Sequence, residues 1–315
     1  MLAFPRSTRG AATRSLAPTS AYQAANRLPW LLAAIMLAAL ASLPANAAER
    51  LVVAGGDLTE IVYALGEGER VVGVDSTSTH PDAALELPSI GYVRSLSAEG
   101  VLSLRPDRVL ASHYAGPDTA LERIRDAGVA LERAPELSGD AERDVPAKIR
   151  FVGSALERQA EAERLVGRFE RELEEVTHRL DDVTQRPRVL FVLSAGEGPL
   201  MIGGEGTAVA DIIRRAGGEP MTGGIDGYSP ISPEAVIDLQ PEAALVMSSQ
   251  VAGQNSQEWL LERPDLGQTP AGKEGRLIAM DGMLLLGFGP RTPQAIRELG
   301  QALHPQRFAS THDRP

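Results

Sequence analysis

The chain has 315 residues, a formal net charge of −11 at pH 7 and no cysteine. An acidic balance of this kind argues against nucleic acid and anionic membrane as partners. Without Cys the chain can form no disulfide and has no thiol for a lipid anchor or a nucleophile, so its stability must come from an apolar core, and its length allows one or two domains.

The first 47 residues read as an address. No Asp or Glu precedes Glu49, and Arg6, Arg9, Arg14 and Arg27 make the segment basic. An apolar run from Trp30 to Leu43 follows, then Ala45-Asn46-Ala47. Basic segment, apolar run and A-x-A end together predict a secretory signal cleaved before Ala48. The run is shorter than the roughly 20 apolar residues of a membrane span. Cleavage would remove four Arg and no acid, leaving a more acidic mature chain, 48–315. The expected location is the periplasm.

From Leu51 onward, short apolar runs alternate with amphipathic ones. LVVA (51–54) reads as a strand. Asp57 is expected to cap a helix in which Leu58, Ile61, Val62 and Leu65 share a face and Gly66 ends the element. VVGVD (71–75) is a strand, Ser97 caps the helix SAEGVLSL, RVLAS (108–112) is a strand, and GPDTALERIRDAG is a helix stopped by Gly128. The pattern restarts with the strand RVLFVL (188–193), the helix TAVADIIRRAGG, the helix SPEAVIDL, strands at 243–247 and 276–280, and the helix PQAIRELGQALH. Such alternation predicts a parallel sheet covered by helices in each lobe. Between the lobes, Val166, Phe169, Leu173, Val176, Leu180 and Val183 recur every three or four positions, which predicts a long amphipathic helix that joins them.

The two lobes repeat a unit. With an offset of 135 positions, SAEGVLSLRPDRVLA falls on SPEAVIDLQPEAALV, matching Ser97 to Ser232, Glu99 to Glu234, Leu104 to Leu239, Pro106 to Pro241 and Asp107 to Glu242. A Gly-Tyr pair precedes each copy, at Tyr92 and Tyr228, in a chain with only five Tyr. Ser-x-Glu at a helix start serves the free N–H groups and the positive helix end. That chemistry leaves the paired Tyr unexplained. Two facing lobes make a cleft, a favoured place for small molecules.

An exported two-lobe α/β chain with a joining helix resembles the substrate-binding proteins of ABC importers, in the class that handles vitamin B12, ferric siderophores and haem. VVAGGDLTEIVYALGEGERVVGVDSTS, GYVRSLSAEGVLSLRPD and LLLGFGPRTP look most like the haem-binding branch. The resemblance implies an α/β fold of two Rossmann-like lobes joined by a long α-helix, with the ligand cleft between them. The expected division is a signal at 1–47, an N-terminal lobe at 48–145, a joining helical segment at 146–185, a C-terminal lobe at 186–305 and a tail at 306–315. It further implies a non-enzymatic carrier of ferric haem b, monomeric, which receives haem from an outer-membrane receptor. The partners implied are an ABC permease and its ATPase in the inner membrane. Tyr92 would be the axial ligand of the haem iron, with Arg94 supporting it. Glu99 and Glu234 would dock on basic residues of the permease.

The chemistry is reasonable in its own terms. Ferric iron and phenolate are a hard pair, and Tyr is a haem ligand type. A free phenol ionises only near pH 10, so iron and a neighbouring guanidinium must favour the anion. Arg suits this because it stays charged. Tyr228 could cover the far haem face, donate to a propionate or form a plain wall. His113, with Tyr114 beside it after the strand 108–112, is the candidate second ligand. Arg291 is the candidate propionate anchor, although it could instead serve the start of the last helix. The two Lys, Lys148 and Lys273, sit in no motif. Related carriers often have a basic residue where this chain reads SSQVAG after Met247. His178 is expected in solvent, and His304 and His312 in a mobile tail. The chief alternative keeps the fold and carries vitamin B12 or a ferric siderophore. An enzyme would need a nucleophile or metal motif of the G-x-S-x-G or H-E-x-x-H kind, and neither occurs.

Overall fold

The computed structural model describes residues 49–196, 198–253 and 256–309. The expected signal and its cleavage point, and His312, lie outside these residues.

The N-terminal lobe is built on four parallel strands, β1 (Leu51–Ala54), β2 (Val71–Val74), β3 (Arg108–Ala111) and β4 (Ala130–Arg133), in the order β2-β1-β3-β4. The second lobe has six, β5 (Arg188–Ser194), β6 (Leu200–Gly203), β7 (Glu219–Pro220), β8 (Tyr228–Ile231), β9 (Ala243–Met247) and β10 (Leu277–Met280). Here the expectation of a parallel sheet needs correction. β10, β9, β5 and β7 run parallel, but β6 pairs antiparallel with both β5 and β8. The cause is local: the connection between β5 and β6 is too short for a crossover helix, so the two strands pair as a hairpin.

The central strands are apolar throughout because both faces are covered. Leu51 and Val53 enter one core with Val189, Phe191, Ala243 and Leu245, the odd-numbered residues of three strands from both lobes. The alternate residues Val52 and Ala54 pack in a second core of the first lobe, and Leu190, Val192, Ala244 and Val246 in a third core of the second. The shared core is completed by the joining segment. That segment is two packed helices, Ala141–Ala155 and Gln159–His178, the second being the expected long amphipathic helix. Leu165, Val166, Phe169, Leu173 and Val176 form the buried face of the second. Leu180 lies beyond its end and is still buried, so the apolar spacing outlasts the helix. Because one apolar core runs through both lobes and the helices between them, lobe opening must work against continuous packing.

The sequence repeat is also a structural repeat. The helices Ala98–Ser103 and Pro233–Leu239 are capped by Ser97 and Ser232, each hydroxyl accepting from a backbone N–H at 3.2 Å. Arg105 and Gln240, at equivalent places, both take the left-handed conformation, each with φ 48°. Asp107 accepts from the Arg50 N–H and Glu242 from the Arg188 N–H, both at 2.8 Å, so the matched acid pins the start of the central strand in each lobe.

One expectation at the C-terminal end is overturned, that His304 lies in a mobile tail. Pro305–Phe308 forms a further short helix. His304 is 4% exposed and its Nε2 lies 3.0 Å from the Gly217 carbonyl oxygen, because the end of the helix Thr292–Leu303 packs on the joining segment. His178 is exposed, as expected.

Candidate functional site

Each Gly-Tyr pair needs a glycine for its backbone: Gly91 has φ 88° and Gly227 φ 67°, conformations that disfavour a Cβ. The turn lets Tyr92 and Tyr228 emerge from the fold, 48% and 39% exposed. Tyr92 precedes a short turn, Val93–Ser95, whose last N–H bonds back to the Tyr92 carbonyl oxygen at 2.8 Å. Tyr228 opens β8 and is paired with Gly203 of β6, so it lies at a strand end and not in a free loop.

Both tyrosines line one cavity of about 310 Å³, together with Arg94, His113 and Tyr114 from the first lobe and Thr207 from the second. This is the size range of a small-molecule site. Thr77, His113 and Leu193 reach it from the carboxyl ends of β2, β3 and β5, where open α/β sheets place their ligands. The loop that carries Thr77 is held by Asp75. Its carboxylate accepts from the Gly55 N–H at 2.9 Å and from the Thr77 hydroxyl at 2.7 Å. Gly206 lines the cavity too, so the 203–206 loop brings backbone to the cleft.

The cavity's charge is one-sided. Its lining among the described residues includes Arg94 but no Asp or Glu. The Arg94 guanidinium carbon stands 4.7 Å from the centre of the Tyr114 ring, and the His113 ring meets Tyr114 edge-on at 4.8 Å. Burial pushes the Tyr228 phenol up to about 12, with the positive Arg94 opposing the shift, so Tyr228 is a neutral donor at pH 7. Burial also pushes the Tyr114 phenol far above its usual range and lowers His113, which is therefore a neutral imidazole at pH 7. His113 Nδ1 is buried with no hydrogen-bond partner among the described residues. A neutral imidazole with an unengaged nitrogen at a cavity wall can accept a proton or donate a lone pair to a metal.

Arg291 is a correction. Its guanidinium is bonded to the Glu60 carboxylate, with Nε 3.0 Å from Oε2, and it lines a separate hollow with Tyr63, His80 and Pro81. The pull of a buried carboxylate holds it away from the cleft. Asp57 is another correction, since Gly55 and not Asp57 stands at the helix N-cap. The Asp57 carboxylate instead receives the Ser112 hydroxyl at 2.7 Å and the Lys148 ammonium at 2.8 Å. Lys148 lies in no sequence motif. A cue was present: Val145, Lys148, Ile149 and Val152 fall on one helical face, and a Lys on an apolar stripe implies a buried partner. Glu99 and Glu234 sit in the first turns of their helices, exposed and apart from the cavity.

Residues 51–284 match the family described as periplasmic binding protein, and the chain belongs to that family. Its structure is similar to the periplasmic heme-binding protein RhuT from Roseiflexus sp. RS-1. The TM-score is 0.77 at 41% identity, covering 82% of this chain and 99% of that one. Among sequence relatives, the ABC transporter substrate-binding lipoprotein YvrC of Bacillus subtilis is 24% identical, over 79% of this chain and 78% of its own. The vitamin B12-binding protein of Pectobacterium carotovorum is 26% identical, over 70% of this chain and 78% of its own.

Proposed function

We propose that this periplasmic binding protein captures ferric haem between its two lobes and delivers it to an ABC permease. The single observation that carries this reading is the convergence of Tyr92, Arg94 and Tyr228, from both lobes, on one cavity whose described lining has no carboxylate. The 41% identity to RhuT, over nearly all of that protein, supports haem as the cargo.

In the proposed mechanism, haem enters between the lobes and the Tyr92 phenolate takes one axial position on the iron. Tyr92 is 48% exposed, so its phenol is open to an incoming ligand. Arg94 supports the iron-bound phenolate by its fixed positive charge. Tyr228, neutral and facing from the other lobe, donates a hydrogen bond or covers the opposite haem face. His113 is the candidate second iron ligand. Docking uses Glu99 on one lobe and Glu234 on the other as two feet on the permease. Release follows when the permease parts the lobes and breaks the Tyr92–iron bond. Export through the N-terminal signal, an outer-membrane source of haem and a monomeric carrier complete the account.

Titrating the purified mature chain with hemin tests this directly. A saturable visible spectrum with a tyrosinate-to-iron charge-transfer band is expected. A second reading, vitamin B12 as cargo, is favoured by the similarity to the Pectobacterium protein and by the aromatic cleft. A parallel cyanocobalamin titration separates the two: saturation with the corrinoid and none with hemin would replace the first reading by the second.

A further inference from the structure

We propose that Tyr114 is a positioning residue of this cleft: its ring holds the Arg94 guanidinium in place, and through Arg94 it sets the charge that a bound ligand meets. The inference rests on the haem reading for its ligand and on the geometry for the contact.

Arg291 and Arg263 are fixed by carboxylates. The described cavity lining offers Arg94 no Asp or Glu. A guanidinium on a long, rotamer-rich side chain needs another restraint if it is to act at one place. The Tyr114 ring supplies it. The guanidinium carbon lies 4.7 Å from the ring centre, within the range of a cation–π contact.

The ring is itself fixed. His113 packs against it edge-to-face, with ring planes at 88°. The backbone two residues further on is stitched to the Arg94 turn, since Leu96 N–H donates to the Gly116 carbonyl at 2.8 Å and Gly116 N–H to the Val93 carbonyl at 2.9 Å. Tyr114 and Arg94 therefore move as one piece of the first lobe. The role of the ring does not require the hydroxyl.

The test uses hemin as probe and four variants of the mature chain: Tyr114→Phe, Tyr114→Leu, Arg94→Gln and the double variant Tyr114→Leu/Arg94→Gln. Tyr114→Phe should bind hemin like the parent, because it keeps the ring. Tyr114→Leu should bind about tenfold more weakly. In the Arg94→Gln background, Tyr114→Leu should cost nothing further. An undiminished loss in that background would overturn the proposal, as would equal losses in Tyr114→Phe and Tyr114→Leu. The parent protein offers a check that leaves Tyr114 intact. The Arg94 Nε–H resonance, assigned by its absence in Arg94→Gln, should show a ring-current shift, and a random-coil position would overturn the contact. A parent that takes up no hemin overturns the haem reading and this role with it, a failure distinct from additivity in a parent that binds.

Discussion

Lys148 Nζ stands 2.8 Å from Asp57 Oδ2, and both side chains are essentially inaccessible to solvent. The same ammonium donates to the Gly287 carbonyl oxygen at 2.8 Å, and Ser112 holds the other Asp57 oxygen. One buried cation thus ties the first helix of the N-terminal lobe, a joining helix and the segment that leads into the last helix. Arg291–Glu60 makes a second tie between the same two ends of the chain. Removing one partner of a buried pair leaves the other uncompensated, at a cost of about 3–5 kcal/mol. Lys148→Met should therefore lower the melting temperature by roughly 10 °C in calorimetry. Adding Asp57→Asn should recover part of that loss, because the stranded charge is gone. A Lys148→Met chain that melts with the parent would show that the pair contributes no such constraint.

His113 should confer an acid-sensitive stability. Burial depresses its pKa below the ordinary value, with Lys148 and Arg94 acting in the same direction and Asp57 and Glu136 against it. The folded state then binds the proton less readily than the unfolded chain. The associated stability is complete above the unfolded pKa of roughly 6.5 and is lost as the pH falls through the folded value. The imidazole resonance should titrate with a midpoint below that of a free histidine. The melting temperature of His113→Gln should fall less than the parent's between neutral and mildly acidic pH. A midpoint at or above the free value contradicts this placement of the ring.

Glu99 and Glu234 occupy equivalent first-turn positions on the two lobes and are exposed. Charge reversal to Arg at either should leave hemin affinity unchanged, since neither lines the cavity. Uptake of haem through the cognate permease should fall, most in the double reversal. Wild-type uptake by the double variant would exclude these residues as feet.

Much of this was legible before any coordinates. Fully apolar strands such as LVVA and AALVM, and helices with marked stops such as Gly66, Gly128 and Gly217, follow from local chemistry. So does the repeat, down to its Ser caps. The hairpin strands β6 and β8 were missed because their residues, LMIG and YSPI, alternate weakly and border glycine-rich loops that read as coil. The site was half legible. Tyr92, Arg94, His113 and Tyr228 do meet in one cavity, while Arg291 went elsewhere because Glu60, 231 positions away in sequence, has the better geometry for it. Pairings over such separations leave no periodic trace. The partner of Lys148 was hidden for the same reason.

The account turns on Tyr92. Visible spectra of the parent and of Tyr92→Ala, each titrated with hemin, test it most directly. The phenol lies at the cavity mouth and supports little of the core, so the variant should fold as the parent does. It should lose the tyrosinate band and at least a hundredfold in affinity, about what the loss of some 3 kcal/mol of iron coordination implies. A Tyr92→Ala chain that retains both the band and the parent's affinity would contradict iron–phenolate capture at this residue.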